Sequence, residues 1–479
     1  MAPFLRNIIQ IALVFPGDHL LRRGIRSQTT ILSHQVSSGI CGDSVQALKK
    51  GPRIQNEDHI ELLDESTCMD RYHKDLRKLS KFLGAGPDML YLSTRCDGVR
   101  GAFVSEAVEK GDVILRLPVS SCLQDDEPPA WFTHNSGSAD DWTMRLAAAL
   151  LDLWLNISLQ YPKDIANGLS LWLSLLPDPN QLRASLPVHW REEIISTSKC
   201  TALELAADSS YFARAEAVEG IVSCLLETEH FDGIVDKERL ELMAHNALDI
   251  VQTRSCRVEC ADDVEWGPPL RVVPPILDFL NHGSSRCAGS DKKGSANASY
   301  QLERANDNMG EGELVVRATR RISSHEEVLV DYGSHTRPAY NCLNHFGFVP
   351  AHGNEEDDSA EFFVGGRKFE VGPSTIPLEM VEMMNVLASD EGDDLSEGVS
   401  ELTPEVALVL ADRLSEVGFQ LLLDPEALGA FADNDEMISP DIVIGAELAA
   451  SLRFYHHQVL LACSFALRDS FFSESAARP

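Results

Sequence analysis

The chain has 479 residues, 44% of them hydrophobic, and a formal net charge of −33. That length allows two or three domains and a sizeable core. A body this acidic repels phosphate backbones, so nucleic acid is not expected as a partner; the same charge either keeps the protein soluble or draws a basic protein segment towards it.

The charge is unevenly spread. Residues 1–55 hold seven Lys or Arg against two Asp, a sum of +5, which leaves 34 basic against 72 acidic residues, −38, in the rest. Arg6, Arg22, Arg23 and Arg26, followed by the hydroxyl-rich SQTTILS, suit an organelle transit segment, plastid or mitochondrial. A disordered leader on a cytoplasmic or nuclear protein is one alternative, and a secretory signal built on apolar residues 8–15 is the other; that stretch is too short to span a bilayer. No later segment reads as a membrane helix. The eleven cysteines form no CxxC pair, which points to reduced thiols, and no metal site is expected.

Folded structure is expected after about residue 70. Residues 71–87 space Leu76, Leu79, Phe82 and Leu83 at helical intervals and stop at Gly84 and Pro87, which predicts a short amphipathic helix. In residues 93–118 a glycine-punctuated turn, Gly98, Val99, Arg100 and Gly101, leads into two strand-like runs, and residues 109–112 read as the turn of a β-hairpin. From Asp141 the pattern turns helical and stays so to about residue 250, with Leu146, Leu150, Leu153 and Trp154 on one stripe. A last helix, over residues 242–259, delivers Arg254 ahead of an extended segment.

That segment reaches PPILDFLNH, residues 274–282, an apolar run ending in Asp278, Asn281 and His282. A polar loop over residues 283–299 follows; it contains an N-x-S triplet at Asn297, and nothing else argues for glycosylation. ELVVRATRRI and EEVLVDYG then resume a hairpin that ends on Tyr332 and Gly333, and HFGFVP brings Phe346, Gly347 and Phe348. Residues 353–401 carry fourteen acids against two basic residues. PEVALVLADRLSEVGFQLLL and GAELAASLRFYHHQVLLACSFALRD beyond them are amphipathic helices.

The Asn-His pair and the Tyr-Gly pair, in that order, with strands between them and the GVRG turn upstream, resemble the signatures of SET domain protein methyltransferases. Ser170, Trp172, Leu176 and Pro177, followed by Trp190, resemble the helical insertion of the Rubisco large-subunit methyltransferase group, to which actin-histidine methyltransferases are related. The resemblance implies an α+β SET fold: small β-sheets with a knot-like crossing, a large helical insertion and a separate all-α carboxyl-terminal domain. The implied division is a leader over 1–70, a SET domain over 71–350 with its insertion at about 124–260, and a helical substrate-binding domain over 351–479. It further implies that S-adenosylmethionine is used to methylate lysine in a non-histone protein. A monomer is expected, the acidic charge favours a basic segment in that protein over nucleic acid, and no membrane partner is expected.

The roles follow from the same resemblance. Tyr332 is the catalytic candidate, and a core tyrosine at a strand end is its alternative. The turn from Gly98 to Gly101 offers backbone groups to the methionine moiety of the cofactor. Arg254 is placed at the cofactor carboxylate, where a guanidinium can donate two parallel hydrogen bonds; a solvated helix-end arginine is the plainer reading. Asp278 stands beside the cofactor or the substrate channel, or is a buried structural acid. Asn281 offers both an acceptor and donors to the cofactor. His282 contacts the cofactor or locks the crossing. Phe346, Gly347 and Phe348 complete the cofactor site, with Asp278, Tyr332 and Phe346 lining the substrate channel.

Two positions depart from the family pattern. Pro338 and Ala339 stand where many members carry Ser-Asn, and Phe346 stands where lysine-directed relatives often have a second tyrosine. The second departure leaves the number of methyl groups open and keeps a histidine substrate as one alternative. A non-catalytic binding module is the other.

Overall fold

The computed structural model describes residues 65–95, 99–133, 141–155, 161–228, 236–258, 270–283, 295–304, 312–333, 338–350, 358–388, 402–423 and 440–472. Most of the expected leader lies outside these residues, and so does Gly98. The described residues belong to one compact unit from Glu65 onward.

Helix α1 (Glu65–Leu83) begins ahead of the expected residue 71. It buries Leu76, Leu79 and Leu83 almost completely, the face its periodicity marks out. Strands β1 (Leu90–Thr94) and β2 (Arg100–Val104) pair antiparallel around the glycine turn. The hairpin expected about residues 109–112 does not form. The turn is there, with Asp112 N–H donating to Glu109 O at 3.1 Å and Gly111 at φ +91°, but its two arms go to different sheets. Strand β2 is already paired with β1, whereas β3 (Val113–Pro118) runs antiparallel to β9 (Gly312–Ala318).

The insertion follows β4 (Leu123–Gln124). It comprises α2 (Asp141–Leu155), α3 (Lys163–Leu175), α4 (Pro179–Ser185), α5 (Glu192–Ser196), α6 (Thr201–Leu226) and α7 (Lys237–Arg254). Gly168 on α3 lets α1 approach closely, because a Cβ there would lie 2.7 Å from Leu83 Cδ2. Asp236 caps α7 by accepting from Glu238 N–H at 3.2 Å, which satisfies one of the open amides at the helix start. The helix ends on Arg254, directly before β5 (Cys256–Val258), and β5 and β4 flank β6 (Leu270–Val273) in a three-stranded sheet.

The remaining strands carry the site. Strand β7 (Asn281–His282) follows a single 3-10 turn, Leu277–Phe279, and β8 (Ala298–Arg304) pairs antiparallel with β9. Strand β10 (Leu329–Val330) slips between β8 and β7 and runs parallel to both, so the sheet order is β3-β9-β8-β10-β7. Asn297 holds this insertion in place. It is fully buried; its Oδ1 accepts from Leu329 N–H at 2.8 Å and its Nδ2 donates to Glu327 O at 2.8 Å. A glycan acceptor has to reach solvent, so the N-x-S triplet is a core device.

Beyond helix α8 (Ala339–Phe346), the described residues form helices and one hairpin, β11 (Ala360–Val364) with β12 (Arg367–Val371). The all-α expectation is corrected on that point: alternate burial of Ala360, Phe362 and Val364 is a strand pattern. Helices α9 (Leu378–Ala388), α10 (Pro404–Leu423) and α11 (Pro440–Phe472) follow among the described residues. They share a core with the insertion, where Trp190, Ile194 and Leu203 pack with Phe362, Leu410, Leu452 and Tyr455. The Glu361 carboxylate also accepts from Thr201 and Ala202 N–H at 2.9 and 2.7 Å, charge placed at the positive end of α6. Among the described residues no helix is long and apolar enough to cross a membrane.

Candidate active site

Three clusters meet where β7 and β10 lie side by side. The first is an ion pair. Arg254 Nη1 donates to Asp278 Oδ2 at 3.0 Å and to Asp278 O at 2.7 Å, and the Trp172 indole N–H donates to the same carboxylate oxygen at 3.1 Å. The carboxylate is fully buried. Burial pushes Asp278 above the usual carboxylate range, and Arg254 and the indole pull it back. Arg254 Nε and Asp278 Oδ1 are buried with no hydrogen-bond partner among the described residues. Trp172, expected as helical core, is core and also a partner of the site acid.

The second cluster surrounds Asn281. Its amide Nδ2 donates to Arg100 O at 2.9 Å and to Glu327 Oε1 at 2.7 Å. A Cβ on Gly101 would lie 2.2 Å from Glu327 Oε1 and 2.8 Å from Asn281 Nδ2, so only glycine lets these groups close over β2. The Arg100 guanidinium sits 5.2 Å from the centre of the Phe279 ring, a cation–π contact. Val99 is exposed.

The third cluster is aromatic. The half-buried Tyr332 ring lies 5.3 Å from His282 and 5.2 Å from Phe346, and Phe348 lies 5.5 Å from His282. The Tyr332 hydroxyl donates to Leu280 O at 2.6 Å, and its backbone N–H donates to His282 Nδ1 at 3.3 Å. Burial pushes the phenol up to about 12 and His282 down from its ordinary value. His282 Nε2 is buried and unpartnered among the described residues. Gly347 caps α8 at φ +74°, where a Cβ would meet Ser185 Oγ at 2.5 Å; its contribution is to turn the chain between Phe346 and Phe348. Gln252 Nε2 donates to Asn344 O at 2.9 Å and so ties the helix of Arg254 to the helix of Phe346.

The predicted residues therefore converge, apart from Gly98, which is outside the described residues, and Val99. Sequence reasoning missed Glu327, Asn297 and Gln252, and placed Trp172 in the core only. Glu327 belongs to the EEVLVDYG run, but nothing in its spacing distinguishes it from Glu326. Among the described residues no group of three or more His, Cys, Asp or Glu side chains is placed to hold a metal ion.

Residues 99–333 match the family model described as the SET domain. This part of the chain is a SET domain. Among solved structures the chain is similar to the SET domain of LSMT bound to lysine and AdoHcy, at 12% identity and a TM-score of 0.47 over 86% of this chain and 96% of that one. It is similar also to Rubisco LSMT bound to sinefungin and monomethyllysine, at 13% identity and a TM-score of 0.48 over 85% and 96%. A third, Rubisco LSMT bound to AdoMet, shares 14% identity at a TM-score of 0.44 over 84% and 92%. A comparison with curated proteins gives no match.

Proposed function

We propose that this protein is an S-adenosylmethionine-dependent methyltransferase that modifies a lysine in a protein substrate. One observation carries the reading: the parallel pairing of β7 with β10 sets Asn281 and His282 beside the strand that ends on Tyr332, within a region that matches the SET domain.

The residues fit the amino-acid end of such a methyl donor. Among the described residues Arg254 Nε is a buried donor without a partner and Asp278 Oδ1 is a buried acceptor without one. A carboxylate and an ammonium on the same ligand are the groups that would satisfy them. His282, Phe346 and Phe348 add an aromatic wall. When bound, S-adenosylmethionine supplies a methyl group activated on a sulfonium.

Lysine, with a reference pKa near 10.4, is neutral only in about one molecule in a few thousand at pH 7. An apolar wall of Phe346, Phe348 and Tyr332 disfavours the ammonium by desolvation. Tyr332 stays a phenol, because with its pKa raised to about 12 only about one molecule in ten thousand is ionised at pH 8. Its proton is directed at Leu280 O, which leaves the oxygen lone pairs to accept from the incoming amine. The phenol aligns the nucleophile and does not deprotonate it. The −38 charge outside the first 55 residues supports a substrate with a basic segment.

Calorimetry with S-adenosylhomocysteine, followed by transfer of labelled methyl to protein in a cell extract, tests the reading. Binding and transfer, with methyl-lysine in the labelled product by mass spectrometry, are expected. Binding without transfer would make the protein a non-catalytic module, and methyl-histidine would overturn the lysine assignment.

A further inference from the structure

Helix α7 ends in two polar side chains that hold different neighbours. Arg254, its last residue, is anchored on Asp278, and Gln252, two residues earlier, reaches α8. The Gln252 amide has one orientation open to it. Its Oε1 accepts from Arg214 Nη2 at 2.6 Å, and a guanidinium can only donate. Its Nε2 donates to Asn344 O at 2.9 Å, and a carbonyl can only accept. A flipped amide would set donor against donor and oxygen against oxygen.

Arg214 is itself held. It is buried, and its Nη1 donates to His245 O at 3.3 Å and to the buried Asp249 carboxylate, which also faces His189 Nε2 at 2.9 Å. A charged donor on Gln252 Oε1 makes the N–H bonds of the same amide better donors. They meet Asn344 O in the last turn of α8, where helix carbonyls lack a donor within the helix. Asn344 is buried too, and its Nδ2 donates to Ser210 Oγ on α6 at 3.2 Å, a second hold on the end of α8. Two residues on, the Phe346 ring lies 5.2 Å from that of Tyr332, and Phe348 follows the Gly347 turn.

We propose that Gln252 is a positioning residue that sets Phe346 against Tyr332, so that the last turn of α7 spaces the methyl-donor end of the site from the acceptor end. This rests on the methyltransferase reading above. Gln252 acts on the reaction through the Asn344 carbonyl and the short stretch of chain that carries Phe346. Arg254, on the same helical turn, ties the other end of the strut to Asp278.

Gln252→Glu separates this role from a structural one, because it keeps the shape and the acceptor for Arg214 and removes only the N–H donor to Asn344 O. Gln252→Met, which removes both bonds, is the second variant. Three quantities are read on each: S-adenosylhomocysteine affinity by calorimetry, the rate of labelled-methyl transfer to extract protein at saturating S-adenosylmethionine, and amide hydrogen exchange over residues 343–348. In the Glu variant transfer should slow by about tenfold or more, affinity should stay within about twofold, and exchange at the end of α8 should quicken. The Met variant should slow transfer at least as much. In the Phe346→Ala background the Gln252 substitutions should slow transfer no further. A Glu variant that transfers at the wild-type rate, affinity losses as large as the rate losses, unchanged exchange, or additive losses with Phe346→Ala would overturn the proposal while leaving the methyltransferase reading intact. Wild-type protein that transfers no methyl would overturn both.

Discussion

Asn281 and Leu329 lie directly across from each other in a parallel strand pair, with His282 opposite Val330 one step further on. Parallel neighbours need a long crossover, and here the crossover spans β8 and β9. Gly283 seals it: its N–H donates to Val330 O at 2.9 Å, and a Cβ there would lie 2.7 Å from the Ala296 backbone nitrogen. The phenol of Tyr332 then reaches back to Leu280, one residue ahead of the pair. The site is a property of this crossing.

The buried ion pair should be the most sensitive element. Asp278→Asn removes the charge opposite Arg254 and leaves a guanidinium that is only 17% exposed without its counter-ion. Losing one partner of such a pair costs about 3–5 kcal/mol. The melting temperature should fall by several degrees, and methyl transfer should fall by about tenfold or more. A variant with unchanged melting and turnover would remove Asp278 from the site.

Asn297 makes a prediction that no surface asparagine would. Asn297→Ala orphans the Leu329 N–H and the Glu327 carbonyl inside the crossing, at about 1–3 kcal/mol for each group. Urea denaturation should show a loss of that size. A change below about 0.5 kcal/mol, the range of ordinary surface substitutions, would contradict the arrangement.

Phe346 sits 5.2 Å from Tyr332, ring centre to ring centre. Phe346→Tyr adds a hydroxyl that can bond the amine and takes space a further methyl or a water would use. Mass spectrometry of the product should shift towards fewer methyl groups. An unchanged distribution would place Phe346 away from the reacting nitrogen.

The carboxyl-terminal helices carry an acid-sensitive pair, His456 and His457, each 3% exposed. Burial pushes His456 down to about 4, with Glu361 opposing, and lowers His457 as well. A histidine whose folded value lies below its unfolded 6.5 contributes stability that is complete above that pH and is lost as pH falls towards 4. Stability should decline by about 2 kcal/mol between pH 7 and pH 5 from His456 alone. Denaturant unfolding across this window, with His456→Gln as comparison, checks it; equal slopes for the two proteins would contradict it.

Much of the site was legible in the sequence because short motifs encode it: the Asn-His pair, the Tyr-Gly pair and Arg254 at a helix end all come together. Periodicity also located the helices of the insertion. The failures have a physical pattern. Residues 93–118 look like one hairpin because turn residues mark where the chain bends, while the partner of β3 is settled by β9, almost two hundred residues away. Trp172 reads as an apolar helix residue until its indole is seen to meet Asp278. Glu327 and Asn297 act through hydrogen bonds that exist only once the two signatures cross, and no local pattern announces them.

The central claim is that Tyr332 aligns the acceptor for methyl transfer, and the turnover of Tyr332→Phe with S-adenosylhomocysteine affinity measured on the same preparation tests it most directly. Removing the hydroxyl deletes the contact to Leu280 O and the lone pairs facing the amine, while the ring stays against His282 and Phe346. Turnover should fall by about a hundredfold or more with affinity nearly unchanged. Equal turnover in the two proteins would contradict the account.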